Sequence, residues 1–328
     1  MSEQRQDALT VSALVVTYNR KELLLECLAA IAAQQYPVST IVVIDNASTD
    51  GTDALFTGCS PIVGNPPIDY RRMDSNLGGA GGFKEGLRAA VEGGADWIWL
   101  MDDDCIPYPD TLSSLVEATR KAQKRGIEPS FLASSVFGPE GEPMNVPTID
   151  TRPTGNGYAD WYVGLADEMV EVESATFVSL LINCHAIDKL GLPVGSFFIW
   201  GDDTEYTTRL THNFGPAYLV GTSRVLHKRA NAKNLNIQNE DDPQRIARFH
   251  YLYRNNLIVR RYHYGRSQVN KEVYRDLKAA LRCLYKGDGG GAARRARSLA
   301  ILTGVFEYLR GDYDLEDLED LEKRAGTR

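Results

Sequence analysis

Three adjacent carboxylates follow a run of large apolar residues in the stretch WIWLMDDDC, which begins at residue 97. The apolar run is typical of a strand buried on both faces, and such strands rarely carry charge. Asp102, Asp103 and Asp104 repel one another, so solvent, a basic partner or a metal ion must offset the repulsion. Divalent cations such as Mn²⁺ or Mg²⁺ prefer carboxylate oxygens and leave coordination positions open for phosphate. The cluster therefore indicates a cation site or, alternatively, a solvated acidic turn before the next helix.

A second acidic cluster follows the aromatic run in FFIWGDDTEY, at residues 197–206. A carboxylate at the edge of a buried segment serves as a general base when its surroundings set a suitable pKa. The other interpretation is an acidic helix N-terminus, where Asp and Glu are electrostatically favoured. One acid could serve as a general base while another lies at a helix N-terminus. The candidates are Asp202, Asp203 and Glu205.

Two further patterns accompany these acids. Four glycines in NLGGAGGF, at residues 76–83, precede a predicted helix, where backbone N–H groups bind anions. The run is not the dinucleotide fingerprint, which follows a first strand, and a plain turn is the alternative. His227 ends a strand-like run; a lone histidine is commonly structural, but an imidazole also completes Mn²⁺ sites built from carboxylates.

The elements that position these residues alternate between strand and helix over the first hundred residues. Strand patterns lie at 13–19, 40–46 and 96–101, and a third strand is expected near 68–73. Helical patterns lie at 20–34 and 81–94, and a further helix is expected after the N-cap candidates Ser48 and Asp50. This alternation predicts parallel strands with crossover helices on both faces. Ligands of such sheets bind beyond the carboxyl ends of the strands. Polar residues stand there at Thr17–Arg20, Asp45–Asn46, Asp74–Asn76 and Asp102–Asp104.

The later chain predicts a different organisation. Residues 138–164 are rich in Gly and Pro and predict loops with short strands, while the chain after about residue 230 reads as helical and basic. We therefore predict an α/β domain at 1–230 and a helical region at 231–328 that ends in an acidic tail. Residues 286–297, KGDGGGAARRAR, predict a break between two helices.

Composition bounds the class of protein. The 328 residues are 43% hydrophobic and 24% charged, as in ordinary soluble proteins, and carry a formal net charge of −8. No apolar run approaches the roughly 18 residues of a membrane span, and the first residues lack a secretion signal. Five scattered cysteines form no paired motif, which indicates a reduced, cytoplasmic protein. No nucleic-acid partner is predicted.

Charge is unevenly distributed, because residues 245–310 hold 15 Lys and Arg against 4 Asp and Glu. Such a segment indicates an anionic partner. One hypothesis is peripheral contact with an anionic membrane, since each basic residue near such a surface contributes roughly 1 kcal/mol. The alternatives are a solvated helical face and a contact within a homo-oligomer. The arginines proposed for the membrane contact are Arg260, Arg261, Arg294, Arg295 and Arg297.

The motifs VVTYNR, VVIDNASTDGT and the three aspartates after a buried strand stand in an order that resembles the family 2 glycosyltransferases. The resemblance covers about residues 10–230 and implies the GT-A fold, a Rossmann-like and mainly parallel sheet with helices on both faces, here followed by C-terminal helices. NLGGAGGF, ADWIWLMDDD and FIWGDDTEY are similar to bacterial galactofuranosyltransferases of cell-wall galactan or O-antigen synthesis. Rhamnosyltransferases, which use dTDP-rhamnose, share much of this pattern.

The resemblance also implies roles for individual residues. It implies Mn²⁺ or Mg²⁺ on Asp104 and His227, with Asp102 beside the ion and the ribose. Asp203 is the implied base, with Asp202 close behind. The residues implied to contact the UDP-sugar donor or the sugar acceptor are Thr17, Arg20, Asp45, Asn76, Gly78, Gly79, Gly81, Gly82, Asp102, Asp103 and Trp200.

The implied reaction is an inverting transfer of galactofuranose from UDP-galactofuranose to a hydroxyl of a glycan acceptor, carried on a polyprenyl diphosphate at the inner face of the plasma membrane. The extended C-terminal domain of the larger polymerising members is missing, which favours the addition of one or a few sugars. A nucleotidyltransferase is a more distant alternative. Such enzymes carry a glycine-rich signature after the first strand, and VVTYNRKELL has no glycine there. A non-catalytic module is disfavoured by the intact acidic clusters and His227.

Overall fold

The computed structural model describes residues 9–57, 66–229, 236–286 and 290–314, in two compact units. The first unit comprises Met1–Gly78, Gly82–Pro193 and Tyr206–Ala232, and the second comprises Gly79–Gly81, Val194–Glu205 and Lys233–Arg328. The predicted domain boundary after residue 230 lies close to the last of these divisions. The second unit, however, also includes the segment that contains Trp200, Asp202 and Asp203.

A single mixed sheet forms the centre of the first unit. Its strands in the described residues are β1 (Val11–Thr17), β2 (Thr40–Asp45), β3 (Ile68–Arg72), β4 (Trp97–Asp102), β5 (Cys105–Pro107), β6 (Phe131–Phe137), β7 (Pro143–Met144), β8 (Thr148–Ile149), β9 (Met169–Ser174), β10 (Leu180–Asn183) and β11 (Ala217–His227). The main order is β3-β2-β1-β4-β10-β6-β11-β9-β8, with β5 on β11 and β7 on β6. The first four strands pair in parallel, as predicted, whereas β10 is antiparallel to both of its neighbours.

Helices cover both faces of this sheet. They are α1 (Lys21–Ala32), α2 (Gly78–Glu92), α3 (Thr111–Lys124), α4 (Cys184–Leu190) and α5 (Asp202–Asn213), whose first residues belong to the second unit. Alternate residues of β1 face opposite sides, as the period of a strand requires. Val15 packs with residues of α1 and α3, while Leu14 packs with residues of α2. Every residue of β1 is therefore buried, which explains why the strand is mainly apolar.

Two local predictions are wrong. The helix expected after Ser48 and Asp50 is, in the described residues, only a one-turn 3₁₀ helix, Asp53–Phe56, and the Asp50 carboxylate accepts hydrogen bonds from the N–H and hydroxyl of Thr52 just before it. Residues 58–65, with Cys59, lie outside the described part of the chain. The glycine run, expected as a loop before a helix, is the first turn of α2, which begins at Gly78.

Helices form the second unit after residue 236. They are α6 (Pro243–Val259), a π-helical turn at Arg260–Tyr264, α7 (Arg266–Lys286) and α8 (Gly291–Arg310). The Asp242 side chain caps α6 by accepting a hydrogen bond from Gln244, and Pro243 starts its first turn. Gly304 lets α8 approach α6 closely, because a Cβ there would lie 2.3 Å from the carbonyl oxygen of His250. None of the helices in the described residues has both the length and the apolar character that a bilayer span requires.

One basic residue predicted to contact a membrane is unavailable for it. Arg297 is completely buried, and its guanidinium donates to the carbonyl of Glu240 at 2.8 and 3.0 Å and to Asp241 at 2.8 Å. A buried guanidinium held by three such bonds joins α8 to the segment before α6. The predicted break between two helices falls between the end of α7 at Lys286 and the start of α8 at Gly291. Residues 287–289, within this break, lie outside the described ranges, and so does the predicted acidic tail from residue 315.

Candidate active site

The carboxyl ends of β1, β2 and β4 lie side by side in the first unit. The register of the sheet pairs Thr17 with Asp45 and Val16 with Asp102. Asp102 is the last residue of β4 and is half-buried. The chain thus presents polar side chains from three neighbouring strands at one edge of the sheet, where ligands of open α/β sheets bind.

Asp103 is buried and fully engaged by residues at the end of β1. The Thr17 hydroxyl donates to its Oδ2 at 2.7 Å, and the Arg20 guanidinium donates to its Oδ1 at 3.1 Å. Burial raises the pKa of Asp103 to about 6, although Arg20 and Thr17 act in the opposite direction. The same guanidinium nitrogen donates to Oδ2 of Asp104 at 2.8 Å. Arg20 therefore offsets part of the repulsion within the acidic cluster.

His227 meets Asp104 because β5 and β11 pair directly after the acidic cluster. His227 pairs with Cys105 in the antiparallel register, and the N–H of Lys228 donates to the carbonyl of Asp104 at 2.8 Å. These contacts place Nε2 of His227 3.0 Å from Oδ1 of Asp104, with both side chains buried. The contacts with His227 and Arg20 outweigh burial, which would raise the pKa of Asp104, and hold that pKa below its usual value.

Asn145 determines which nitrogen of His227 carries the proton. Nδ1 of His227 lies 2.9 Å from the side-chain oxygen of Asn145. An amide oxygen only accepts, so Nδ1 is the donor and Nε2 of the neutral ring presents a lone pair. Oδ1 of Asp104 is buried and has no hydrogen-bond donor. Two such atoms 3.0 Å apart need a positive charge beside them, from a cation or from a second proton on the ring.

The donor atoms fit a divalent cation. Ligand atoms of Asp104, Cys105 and His227 all lie within 4.8 Å of one another, as one group in the part of the chain that the structure describes. Carboxylate oxygen and imidazole nitrogen suit Mn²⁺, whereas a thiol is a softer donor. Burial raises the pKa of the Cys105 thiol well above its usual value, so this side chain is neutral without an ion. An orienting partner such as Asn145 is typical of metal-binding histidines.

Asp45 is held rigidly at the end of β2. It is completely buried, its Oδ1 accepts from the N–H of Ser48 at 2.8 Å, and its Oδ2 accepts from the Tyr70 hydroxyl at 2.6 Å. Burial and this bond raise the pKa of Tyr70. A contact between Asp45 and the donor stays a prediction, and it would use the remaining lone pairs of the carboxylate.

The glycines serve local geometry at two positions of the first unit. Gly78 has a φ of 72°, its N–H donates to the side chain of Asn76 at 2.8 Å, and its carbonyl accepts from Asn46 at 3.0 Å. A Cβ at Gly82 would lie 2.6 Å from Val16, so this glycine permits close packing of α2 on β1. Gly79 and Gly81 belong to the second unit, and a Cβ at Gly79 would meet nothing within 4 Å.

The segment before α5 has a strained backbone within the second unit. Phe198 and Trp200 have φ values of 64° and 63°, which residues other than glycine rarely adopt. The buried Asn255 holds this segment, since its Nδ2 lies 3.0, 3.3 and 2.7 Å from the carbonyl oxygens of Phe197, Ile199 and Trp200. Trp200 also packs on Phe249 with ring centroids 4.9 Å apart. Its predicted contact with the acceptor stays a prediction.

Asp202 and Asp203 begin α5 directly after this segment. Asp202 is buried, and burial with the charge of Asp203 raises the pKa of Asp202 to about 8. Burial also raises the pKa of the partly buried Asp203, whose Oδ1 accepts from the N–H of Thr204 at 2.7 Å. Glu205, by contrast, is completely buried with Oε1 3.1 Å from Nε2 of His263. The first two acids thus have raised pKa values, and the third pairs with His263.

The structure brings together the predicted residues Thr17, Arg20, Asp103, Asp104 and His227 in the first unit. Trp200, Asp202 and Asp203 share one segment of the second unit. That both sets serve one substrate stays a prediction. Sequence reasoning missed Cys105, Asn145 and Asn255. A histidine that follows a strand invites a search for an orienting amide, but only the fold identifies Asn145.

Comparisons with known proteins identify the family of the chain. The model of the family described as "Glycosyl transferase family 2" matches residues 12–162. The galactofuranosyltransferase GlfT1 of Mycolicibacterium smegmatis is 31% identical over 220 residues, which are 66% of this chain and 70% of that protein. GlfT1 of Mycobacterium tuberculosis strain H37Rv is 29% identical over an alignment of 265 positions that covers 75% of this chain and 80% of the relative.

Solved structures show the same fold. The mannosyltransferase PcManGT from Pyrobaculum calidifontis, in complex with GDP-Man and Mn²⁺, aligns with a TM-score of 0.54 at 18% identity and covers 92% of this chain and 87% of its own. GalNAc-T7 with UDP, GalNAc and Mn²⁺ gives a TM-score of 0.55 at 13% identity, over 93% of this chain and 56% of its own. These likenesses confirm the predicted α/β GT-A fold with C-terminal helices. The 31% identity to GlfT1 of Mycolicibacterium smegmatis, together with the family model, shows that the chain belongs to glycosyl transferase family 2, close to the GlfT1 galactofuranosyltransferases.

Proposed function

We propose that this glycosyltransferase moves galactofuranose from UDP-galactofuranose to a hydroxyl of a glycan acceptor, with inversion at the anomeric carbon. The identity to GlfT1 over most of the chain supports the choice of sugar. The observation that carries the chemistry is the buried pair of Asp104 Oδ1 and His227 Nε2, which lie 3.0 Å apart. A nucleotide diphosphate requires such a site, because its leaving-group charge must be neutralised.

Asp104 and His227 would hold Mn²⁺ or Mg²⁺, and when bound the ion would stabilise the negative charge of the departing UDP. Arg20 occupies Oδ2 of Asp104 and leaves Oδ1 for this role. Asp103 supports the site by holding Arg20 and Thr17 in place. Asp102 is proposed as a further contact for the ion and the ribose, since it ends the neighbouring strand β4.

Asp203 is the proposed base that removes the proton of the acceptor hydroxyl. Asp202, with its pKa raised to about 8, keeps its proton at neutral pH and spares the pair a second buried charge. Asp203 is the more exposed of the two and is then the member that ionises and accepts the proton. A base whose pKa is raised toward neutrality transfers protons effectively.

The acceptor is proposed to be linked to a polyprenyl diphosphate, which would place the enzyme at the inner face of the plasma membrane. Association of the enzyme into a homo-oligomer is also part of the proposal. A donor panel tests the reaction. With Mn²⁺ present, we expect UDP release from UDP-galactofuranose and little release from UDP-galactopyranose or UDP-glucose. Release of dTDP from dTDP-rhamnose would support the rhamnosyltransferase instead, and release of pyrophosphate from a nucleoside triphosphate would support a nucleotidyltransferase.

His227→Ala serves as the control for background hydrolysis, because it removes one proposed ligand from the site. A variant of an exposed histidine, His185→Ala on α4, makes the matched comparison. Equal UDP release by both variants would contradict the proposed role of the Asp104–His227 pair.

A further inference from the structure

Helix α7 exposes a continuous apolar stripe in the second unit. Tyr274, Leu277, Leu281 and Tyr285 are 68%, 40%, 56% and 77% exposed. Their spacing of three, four and four residues places them on one face of the helix. Four large apolar side chains on one exposed face are more than isolated surface residues, and such patches mark sites of interaction.

Basic residues border the stripe. The exposed basic residues of α7 after its first turn are Lys271, Arg275, Lys278, Arg282 and Lys286. Arg275 also contacts Glu272 at 3.0 Å. The two acids of the helix, Glu272 and Asp276, point away from the stripe, and Asp276 is buried. The exposed face of α7 therefore combines apolar and basic residues and holds no exposed acid.

The opposite face of α7 already supplies the helix with its core contacts. Ala280 and Cys283 pack with residues of α6 and α8, including Phe249 and Ile301, and Val269 packs with Val305. The exposed stripe is thus not needed to hold α7 in its unit. Exposed leucines and tyrosines that serve no core cost solubility, which implies a surface that covers them.

We infer that α7 is the surface by which this protein lies on an anionic lipid bilayer. An amphipathic helix with Tyr and Leu on one face and Lys and Arg beside them has the composition of interfacial membrane helices. Lipid phosphates complement the basic residues, while Leu and Tyr enter the boundary between headgroups and acyl chains.

Charge also argues against a second copy of this chain as the occupant. In a symmetric contact, each α7 would bring five basic residues against the same five of its partner, with no exposed acid on either face to neutralise them. An anionic bilayer needs no such pairing, because its surface charge is spread continuously and tolerates any rotation of the protein.

The inference places the membrane contact of the proposed function on a defined helix and replaces the arginine set predicted from sequence, of which Arg297 is buried. It rests on the proposed function only for the biological reason to reach a membrane. Neither the stripe nor its basic border involves a residue of the candidate active site.

Flotation with lipid vesicles tests the inference on the full-length chain. We expect the protein to float at low salt with vesicles of equal parts phosphatidylcholine and phosphatidylglycerol, and to stay behind with phosphatidylcholine alone. Lys278→Glu combined with Arg282→Glu should weaken binding by roughly 30-fold or more, at about 1 kcal/mol for each basic residue removed. Leu277→Ser combined with Leu281→Ser should weaken it by about 10-fold.

A matched control changes the same charges elsewhere, with Lys121→Glu and Lys124→Glu on α3 of the first unit. It should bind vesicles like the unmodified protein, and circular dichroism should show that all variants fold. Equal binding of the α7 variants and the unmodified protein would overturn the inference. So would dimers, seen by light scattering without lipid, that the α7 variants break, because the stripe would then bind a second copy.

The assay separates this inference from the proposed function. Vesicle binding is measured without donor or acceptor, so a wrong choice of sugar leaves its outcome unchanged. Conversely, α7 variants that lose vesicle binding should still release UDP from UDP-galactofuranose with a water-soluble acceptor. Loss of that release as well would show that α7 serves the fold or the active site, and would overturn the inference.

Discussion

Asp104 in the first unit and the pair Asp202 and Asp203 in the second unit are carboxyls in opposite electrostatic settings. In the first unit, Arg20 and His227 contact Asp104, and the pKa of Asp104 falls below its usual value. In the second unit, burial and mutual repulsion raise the pKa of both Asp202 and Asp203. The first setting suits a carboxylate that stays charged and binds a cation, and the second suits carboxyls that exchange protons.

The largest expected effect comes from the proton-exchanging cluster. Asp203→Asn keeps the shape of the side chain but removes its basicity, so we expect turnover to fall by about 10²–10⁴-fold. UDP binding should change by no more than a few fold, because the second cluster is not proposed to hold the nucleotide. Single-turnover assays and calorimetric UDP titration measure the two quantities. Asp188→Asn, an exposed acid on α4, is the control, and substantial turnover by the Asp203 variant would show that another group is the base.

The cation-binding cluster should respond differently. Asp104→Asn removes a charged oxygen beside His227, and we expect UDP binding in the presence of Mn²⁺ to weaken by about 100-fold, with turnover falling in parallel. UDP titrations with and without Mn²⁺ measure the effect. Asp110→Asn, which changes an exposed acid six residues further along the chain, is the control. If Mn²⁺ strengthened UDP binding equally in both variants, the assignment of the ion to Asp104 would be lost.

Asn255 tests how the second cluster is held. Asn255→Asp replaces the donating amide group with an oxygen that faces the carbonyls of Phe197 and Trp200, so we expect a loss of about 1–3 kcal/mol in the free energy of unfolding. Denaturant unfolding measures this loss, and the turnover of the folded variant should fall as the acidic residues lose their positions. Asn256→Asp, one residue along α6, is a matched control. Equal stability of the two variants would contradict the role of Asn255.

The last prediction concerns pH and stability. Because Asp202 has a folded-state pKa of about 8 against the ordinary 3.8, the folded protein binds the proton more tightly than the unfolded chain. Between these values the contribution of Asp202 to stability falls as pH rises, since the folded state must either keep the proton or bury a charge. The Asp202→Asn side chain does not titrate, so the variant does not lose this contribution to stability as pH rises. Its melting temperature minus that of the unmodified protein should therefore increase from pH 5 to pH 8. A constant difference across this range would show that Asp202 titrates normally.

Much of the first unit was predictable because its signals are local. A buried parallel strand needs a mainly apolar run, and β1, β2 and β4 lie within two residues of the predicted segments. The partly exposed edge strand β3 also lies within two residues of its predicted segment. The polar residues at their ends follow from the same pattern. The helix predicted after Asp50 is a single 3₁₀ turn in the described residues.

The sequence by itself determined the strand and helix pattern of the first hundred residues, the positions of the acidic clusters and the similarity to family 2 glycosyltransferases. Only the tertiary structure decided which acid meets His227, which amide orients that ring and which arginine is buried. The pairing of β5 with β11 brings His227 to Asp104 across more than a hundred residues of sequence. Burial and long-range pairing arise from the whole fold, and they determine whether a carboxylate keeps its charge or its proton.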